Sequence, residues 1–162
     1  MKSTLRHCLL LLVALGVVAG VAVAAAPATA RDEIMGIALG MSKADARARL
    51  QTLGTLERET RKRQEVWAVK DARISHLLVG YDPELRVRYV TAIARASGPR
   101  ISYDEIAELK SAERLHNQGN YKFTWDVAAR SGHGAYRLIA HGHDPKYLDS
   151  YSIKKVDQKE LD

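Results

Sequence analysis

The chain has 162 residues, a length that suits one domain and excludes a large two-domain enzyme. Its 25 Lys and Arg residues outnumber its 19 Asp and Glu residues, giving a net charge of +6 at pH 7. The two signs are mixed in the most charged segment, residues 57–65, whereas a nucleic-acid surface requires a patch of one sign. The single cysteine, Cys8, lies in the N-terminal segment that we expect to be removed, which excludes disulfides, thiol catalysis and cysteine metal sites from the mature chain. We therefore expect no nucleic-acid partner and no cysteine chemistry.

The N-terminal segment differs in composition from the rest of the chain. Lys2 and Arg6 precede an apolar run over residues 9–26, and the small-residue sequence Ala-Thr-Ala ends at Ala30. A basic start, an apolar centre and a small-x-small end are typical of a secretory leader. We predict a signal peptide over residues 1–30, cleaved after Ala30, and a mature chain that is periplasmic or secreted.

An uncleaved N-terminal anchor is the alternative for this segment. The apolar run over residues 9–26 has 18 residues, the lower limit for crossing a bilayer. Gly16 and Gly20 lower its helix propensity, and Pro27 favours cleavage shortly afterwards. Cys8 precedes the apolar run, whereas a lipidated cysteine ends the leader of a bacterial lipoprotein. We therefore predict no lipid anchor and at most a peripheral contact with the membrane.

Local signals predict a short helix near the start of the mature region. Ser42 is typical of a helix N-cap, and Asp45 follows it as in a capping box. Apolar residues recur at helical spacing from Ala46 to Leu53, and Gly54 is typical of a residue in the left-handed conformation that ends a helix.

A period of two then predicts antiparallel strands over residues 66–69, 76–81 and 85–93. The same order recurs in the second half of the chain. Ser102 and Glu105 form a complete capping box, which predicts a second helix beginning at Ser102. Further strand patterns cover residues 121–127, 135–141 and 148–156.

The two halves correspond at positions separated by 58 to 62 residues. The matched positions are Ser42 with Ser102, Trp67 with Trp125, and residues 80–83 with residues 142–145. Such spacing is typical of an internal repeat. We predict a single exported α+β domain over residues 31–162, built as a tandem helix-plus-meander repeat with units 31–97 and 98–162. Its two short helices are expected to pack on one antiparallel sheet.

The first unit resembles two known families. Residues 36–54 begin a helix with Gly-Met-Ser and end it with Leu-Gly, as in the small outer-membrane lipoproteins of the SmpA/OmlA type. Trp67 and the segments 78–82 and 87–90 match later strands of that family. Two tandem copies of this unit are the plan of the β-lactamase inhibitor protein (BLIP), so the predicted duplication is similar to a BLIP-like domain.

The resemblance implies a protein-binding function. In these families the unit is a binding module and not an enzyme: one member supports assembly of outer-membrane barrels, and the other inhibits a hydrolase. We expect a non-enzymatic, exported protein-binding module connected with the bacterial cell envelope, without a cofactor. The alternative is an inhibitor or immunity-type protein that blocks a hydrolase. The missing lipidation cysteine departs from the first family, and the missing cysteine pairs depart from the second.

A further alternative is a metal-binding protein. His141 and His143 lie two residues apart on a predicted strand and would point to one face, where two imidazoles can share zinc or copper. A third ligand, such as His133 or Asp149, would have to come from the neighbouring hairpin. Two histidines alone do not make a structural zinc site, so we predict no metal and keep this pair as candidates only.

The last predicted hairpin is the candidate for partner contact. Tyr147 lies next to Lys146 and follows the Asp144-Pro145 corner, so it can form an exposed aromatic anchor of the kind found at binding hot spots. The segment from Asp144 to Leu148 is the candidate loop for entering a hydrolase cleft. No Gly-x-Ser-x-Gly nucleophile motif is present, and we predict no catalytic residue.

Overall fold

Antiparallel strands dominate the computed structural model, which describes residues 32–60, 63–129 and 134–156. Its α-helix, α1, spans Lys43–Leu53, and 3₁₀ turns span Tyr103–Glu105 and Leu109–Ser111. The strands of these ranges are β1 Glu33–Ile34, β2 Ile37–Ala38, β3 Gly54–Thr60, β4 Gln64–Val69, β5 Ile74–Tyr81, β6 Val87–Ala94, β7 Ile101–Ser102, β8 Glu113–Asn117, β9 Asn120–Val127, β10 Tyr136–Gly142, β11 Tyr147–Leu148 and β12 Ser150–Lys155.

Eight strands form one sheet in the order β3-β4-β5-β6-β12-β10-β9-β8, and every neighbouring pair is antiparallel. The short strands pair separately, β1 with β2 and β7 with β11. Within the described ranges, no helix has the length and apolar character needed to span a membrane.

The predicted first helix is confirmed, but the glycine at its end, Gly54, is needed for a different reason. Ser42 caps α1 by accepting a hydrogen bond from the Asp45 backbone N–H at 3.2 Å. Gly54 does not adopt a left-handed conformation: its φ of −178° is extended, and it is already the first residue of β3. A side chain is excluded there because a Cβ would lie 1.8 Å from the carbonyl oxygen of Ala68.

The prediction of two helices packed on the sheet is wrong, because the second helix does not form. The capping box at Ser102 is present, since Glu105 Oε1 accepts from the Ser102 backbone N–H and hydroxyl, each at 3.0 Å. It caps only the 3₁₀ turn Tyr103–Glu105. The chain is extended again by Glu108, and the residues beyond Ala112 form β8 on the edge of the sheet. The fold is therefore mostly β and not the predicted α+β arrangement.

The core covers one face of the sheet. Trp67, Leu77 and Val90 in the first half, and Leu138 and Trp125 in the second, are each at most 4 % exposed. Two α1 residues, Ala46 and Leu50, are fully buried and belong to the same cluster. On the second half the cover comes from the 3₁₀ turn, where the rings of Tyr103 and Phe123 lie 4.4 Å apart.

The strand order is symmetric about the contact between β6 and β12. Trp67 in β4 and Trp125 in β9 both lie on the strand next to an edge and on the buried face. The correspondence between residues 80–83 and residues 142–145 is out of register by one residue in the sheet. Gly142 pairs with Tyr121 on the buried face, whereas Gly80 pairs with Tyr89 on the opposite face. The strand order is the one that two related units would produce, and the duplication itself stays a prediction.

Candidate functional site

The sheet face opposite the core is a candidate binding surface, called here the open face. Its central row runs in register across six strands: Val66, Leu78, Thr91, Ser152, Ile139 and Thr124. The next row is Ala68, His76, Ile93, Ser150, His141 and Lys122. At the strand spacings of a β-sheet, the six strands span about 24 Å across the sheet.

Four aliphatic side chains of the open face, Val66, Leu78, Ile93 and Ile139, stay partly exposed. None of the four belongs to the buried hydrophobic cluster or to the partly buried residues that pack against it. The hydroxyl groups of Thr91 and Ser152 lie between Leu78 and Ile139 in the central row. The open face therefore offers apolar area and hydrogen-bonding groups together, which is typical of a protein-binding surface.

Charged and aromatic groups border these rows. The third row of the open face is Gln64, Gly80, Tyr89, Lys154, Arg137 and Asp126. In it Tyr89 lies across the position where Gly80 lacks a side chain, and its hydroxyl donates to Gln64 Oε1 at 2.9 Å. Burial raises the pKa of Tyr89, so the phenol stays neutral. On the second row, burial lowers the pKa of His141, and the nearby Lys122 acts in the same direction. At neutral pH His141 therefore offers an uncharged imidazole.

The segment from His143 to Leu148 forms a second candidate surface, called here the braced turn. Asp144 Oδ1 accepts from the backbone N–H groups of Lys146 at 2.8 Å and Tyr147 at 3.1 Å. Its other oxygen accepts from Arg100 Nη1 at 3.0 Å. The hydrogen bonds from the Lys146 and Tyr147 backbones and from Arg100 lower the pKa of Asp144, so its carboxylate is ionised at neutral pH.

Tyr147 joins this network through its ring. The guanidinium of Arg100 lies 4.3 Å from the ring centroid, and Lys146 Nζ lies 5.2 Å from it. Its backbone pairs with Ser102, which ties the turn to β7. The structure therefore brings together the predicted residues Asp144, Lys146 and Tyr147. It adds Arg100, which the sequence did not indicate because it comes from a distant segment.

The two candidate metal ligands occupy different surroundings. His141 lies in β10, between Lys122 and Ser150 of the neighbouring strands. His143 follows the strand, is 78 % exposed, and places Nδ1 2.6 Å from Asp149 Oδ2. Among the described residues, no group of three His, Cys, Asp or Glu side chains is placed to hold a metal ion. His133, the other suggested ligand, lies outside the described residues.

A buried carboxylate, Glu65, was missed by the sequence reasoning. Its side chain is 0 % exposed and accepts hydrogen bonds from Arg47 Nε at 2.7 Å, Trp67 Nε1 at 3.0 Å and the Tyr81 hydroxyl at 3.0 Å. Lys43 Nζ lies 3.4 Å away. The sequence contains a signal for this burial: residues two apart in a strand point to the same face, so Glu65 shares the face of the inward-facing Trp67.

The Glu65 cluster attaches α1 to the sheet. The hydrogen bond from Arg47 to Glu65 raises the pKa of Arg47, and burial raises the pKa of Tyr81 well above its ordinary value. Arg47 and Lys43 also bind Glu59 in β3, at 2.7 Å and 2.6 Å. Because the Glu65 oxygens are enclosed and occupied by these donors, this carboxylate is not presented to a substrate.

The fold and these surfaces define a mostly β protein in which one sheet face stays partly exposed among the described residues. Comparison with protein-family models, with curated proteins and with solved structures gives no match to this chain.

Proposed function

We propose that this protein is a non-enzymatic, exported binding module that docks another protein on the open face of its sheet. The observation that carries the proposal is the set of four partly exposed aliphatic side chains that lie outside the core, on a face formed by six strands. A large sheet face with scattered apolar groups and hydroxyls suits a protein surface better than a small ligand, because these groups are spread over six strands and do not converge on one point.

The dimensions of the open face support this proposal. Three rows of side chains across six strands cover an area on the order of 300–400 Å², about half of the ~800 Å² that each partner buries in a standard interface. The braced turn adds nothing to this area, because it lies against the core face: a Cβ at Gly142 on that face would lie 2.5 Å from the Tyr147 carbonyl oxygen.

The sequence pattern of the leader supports export, and the resemblance to the SmpA/OmlA family supports a partner in the cell envelope. A protein of barrel assembly is therefore the first class of partner to test. The same evidence supports a periplasmic or secreted location after cleavage at Ala30.

A pull-down tests this proposal. The exported chain serves as bait against periplasmic and detergent-solubilised outer-membrane fractions. The double substitution Leu78→Thr and Ile139→Thr removes apolar groups from the open face and keeps residues with good strand propensity. We expect it to abolish capture of the partner. The matched control is Leu109→Thr, which changes a 39 % exposed leucine of a 3₁₀ turn. Equal capture by both variants would refute the proposal.

An inhibitor that enters a hydrolase cleft through the braced turn is the second candidate function. The observation that favours it is the bracing itself: Asp144 accepts from the Tyr147 backbone N–H, and Arg100 lies against the Tyr147 ring. A loop ordered before binding loses less entropy when it binds, which is the usual advantage of an inhibitory loop.

The variant Tyr147→Ala tests this second function. Tyr147 is partly exposed, so we expect the melting temperature to change little while the complex weakens at least tenfold, the effect typical of a lost aromatic hot spot. The measurement is titration of the captured hydrolase with each variant. Unchanged inhibition by Tyr147→Ala would exclude the braced turn as the inhibitory element.

A further inference from the structure

The two edges of the eight-stranded sheet differ in their protection. The β3 edge is irregular, with a register shift between Leu56 and Arg58, and Glu59 is held by ion pairs to α1. Bulges and charges of this kind prevent a sheet edge from pairing with another chain. The β8 edge has an unbroken register with β9, and all five of its residues are exposed. Leu115, at the centre of β8, is 54 % exposed, the highest value among the large hydrophobic residues of the described chain.

The turn after β8 fixes which backbone groups face outward. Gln118 and Gly119 have φ values of 48° and 79° and form a two-residue connection between the paired residues Asn117 and Asn120. Such a connection closes on a hydrogen-bonded pair, and hydrogen-bonded pairs alternate along an antiparallel ladder. The N–H and C=O groups of Leu115 therefore point towards β9, and those of Arg114 and His116 point away from the sheet.

We propose that β8 pairs antiparallel with β8 of a second copy of this chain, in a register centred on Leu115. Arg114 then exchanges backbone hydrogen bonds with His116 of the second copy, and His116 does the same with Arg114. Leu115 lies opposite its own counterpart on the open-face side. The pairing joins the two sheets into one continuous sheet of sixteen strands, and the two open faces become continuous.

Charge and side-chain complementarity select this register. A register centred on Arg114 also pairs the outward backbone groups. It places the two Arg114 guanidinium groups directly opposite each other, which is destabilising. A register centred on His116 leaves Leu115 opposite a polar asparagine. Only the register centred on Leu115 buries the exposed leucine of both copies in the closer, non-hydrogen-bonded type of pair.

The contact area of the proposed pairing is small. Pairing of two five-residue strands buries less than the ~1,200 Å² at which specific interfaces become stable. We therefore expect a weak dimer whose population rises with protein concentration. This inference does not depend on the partner of the open face, because β8 pairing uses the edge of the sheet.

Disulfide trapping tests the register. In a Cys8→Ser background, the variant Leu115→Cys carries the only thiol of the chain. The two Cα atoms of a non-hydrogen-bonded pair lie about 4.5 Å apart, within the range that a disulfide spans. We expect a covalent dimer under mild oxidation. Leu56→Cys, on the opposite edge and 38 % exposed, is the matched control and should stay monomeric. Equal trapping at both positions, or none at residue 115, would overturn the proposal.

Sedimentation equilibrium provides the second measurement. We expect the unmodified protein to dimerise reversibly and Leu115→Lys to stay monomeric, since two ammonium groups would then face each other. Leu56→Lys should dimerise like the unmodified protein, and melting curves should confirm that both variants fold. A protein that stays monomeric at every concentration, or a dimer that survives Leu115→Lys, would show that β8 does not mediate self-association.

Discussion

Replacing Glu65 by alanine should destabilise the protein more than any exposed charge substitution. The change removes the common acceptor of three hydrogen bonds. The donors on Trp67 and Tyr81 belong to residues that are only 3 % and 5 % exposed, so both are left without a partner inside the protein. At about 1–3 kcal/mol for each unsatisfied buried group, these two account for about 2–6 kcal/mol.

The cationic side adds less to this cost. The side chains of Arg47 and Lys43 are 36 % and 20 % exposed and also contact Glu59, so water and that carboxylate compensate part of the lost attraction. We therefore expect Glu65→Ala to lower the free energy of unfolding by about 3–5 kcal/mol, the range found when one partner of a buried ion pair is removed. That loss is a large fraction of the roughly 5–15 kcal/mol available to a typical domain.

Equilibrium unfolding in urea, followed by circular dichroism and by the fluorescence of the tryptophans, measures this loss. Glu59→Ala is the control, because Glu59 binds the same two cations from an exposed position, and it should change stability little. Glu65→Gln keeps one acceptor oxygen and should fall between the two. If Glu65→Ala were no more destabilising than Glu59→Ala, the buried cluster would not be what attaches α1 to the sheet.

Two further predictions concern single positions. Because the pKa of Asp144 is lowered in the folded protein, its carboxylate stabilises the fold above its ordinary pKa of 3.8, and this contribution is lost as the pH falls through the lowered pKa. Asp144→Asn should therefore make the stability depend less on pH between neutral and acidic conditions. An unchanged dependence of stability on pH in an acid titration of this variant would contradict the prediction. Gly54→Ala should destabilise the protein strongly, because the new Cβ would collide with the Ala68 carbonyl oxygen, although the φ of Gly54 suits any residue. An unchanged melting temperature would show that β3 and β4 move apart at this position without cost.

The parts of the fold that the sequence predicts correctly are those with local causes. The helix α1 results from its N-cap Ser42 and from apolar residues at helical spacing, all within a few turns. The second helix fails because the capping box at Ser102 is satisfied by a single 3₁₀ turn. A contact with a distant residue holds the chain beyond that turn: the indole N–H of Trp125 donates to the Glu108 carbonyl at 2.9 Å.

The candidate surfaces show the same limit. The sequence indicated Asp144, Lys146 and Tyr147, which lie within four residues of one another. Arg100 was not indicated, because its contact with Asp144 joins segments 44 residues apart. The open face depends on the order of the strands in the sheet, which periodicity does not reveal. Periodicity predicts that residues alternate between faces, but it does not predict which face will be covered.

The two halves of the sheet attach their covers by different chemistry at matched positions. Glu65 lies two residues before Trp67, and Phe123 lies two residues before Trp125, with all four side chains on the buried face. In the first half the inward carboxylate binds Arg47 and Lys43, which lie four residues apart on one side of α1, so it requires a helix to present them. In the second half Phe123 packs against the ring of Tyr103, which a single 3₁₀ turn can position. The first half therefore holds its helix by ion pairs to a buried carboxylate, and the second half holds its 3₁₀ turn by ring packing.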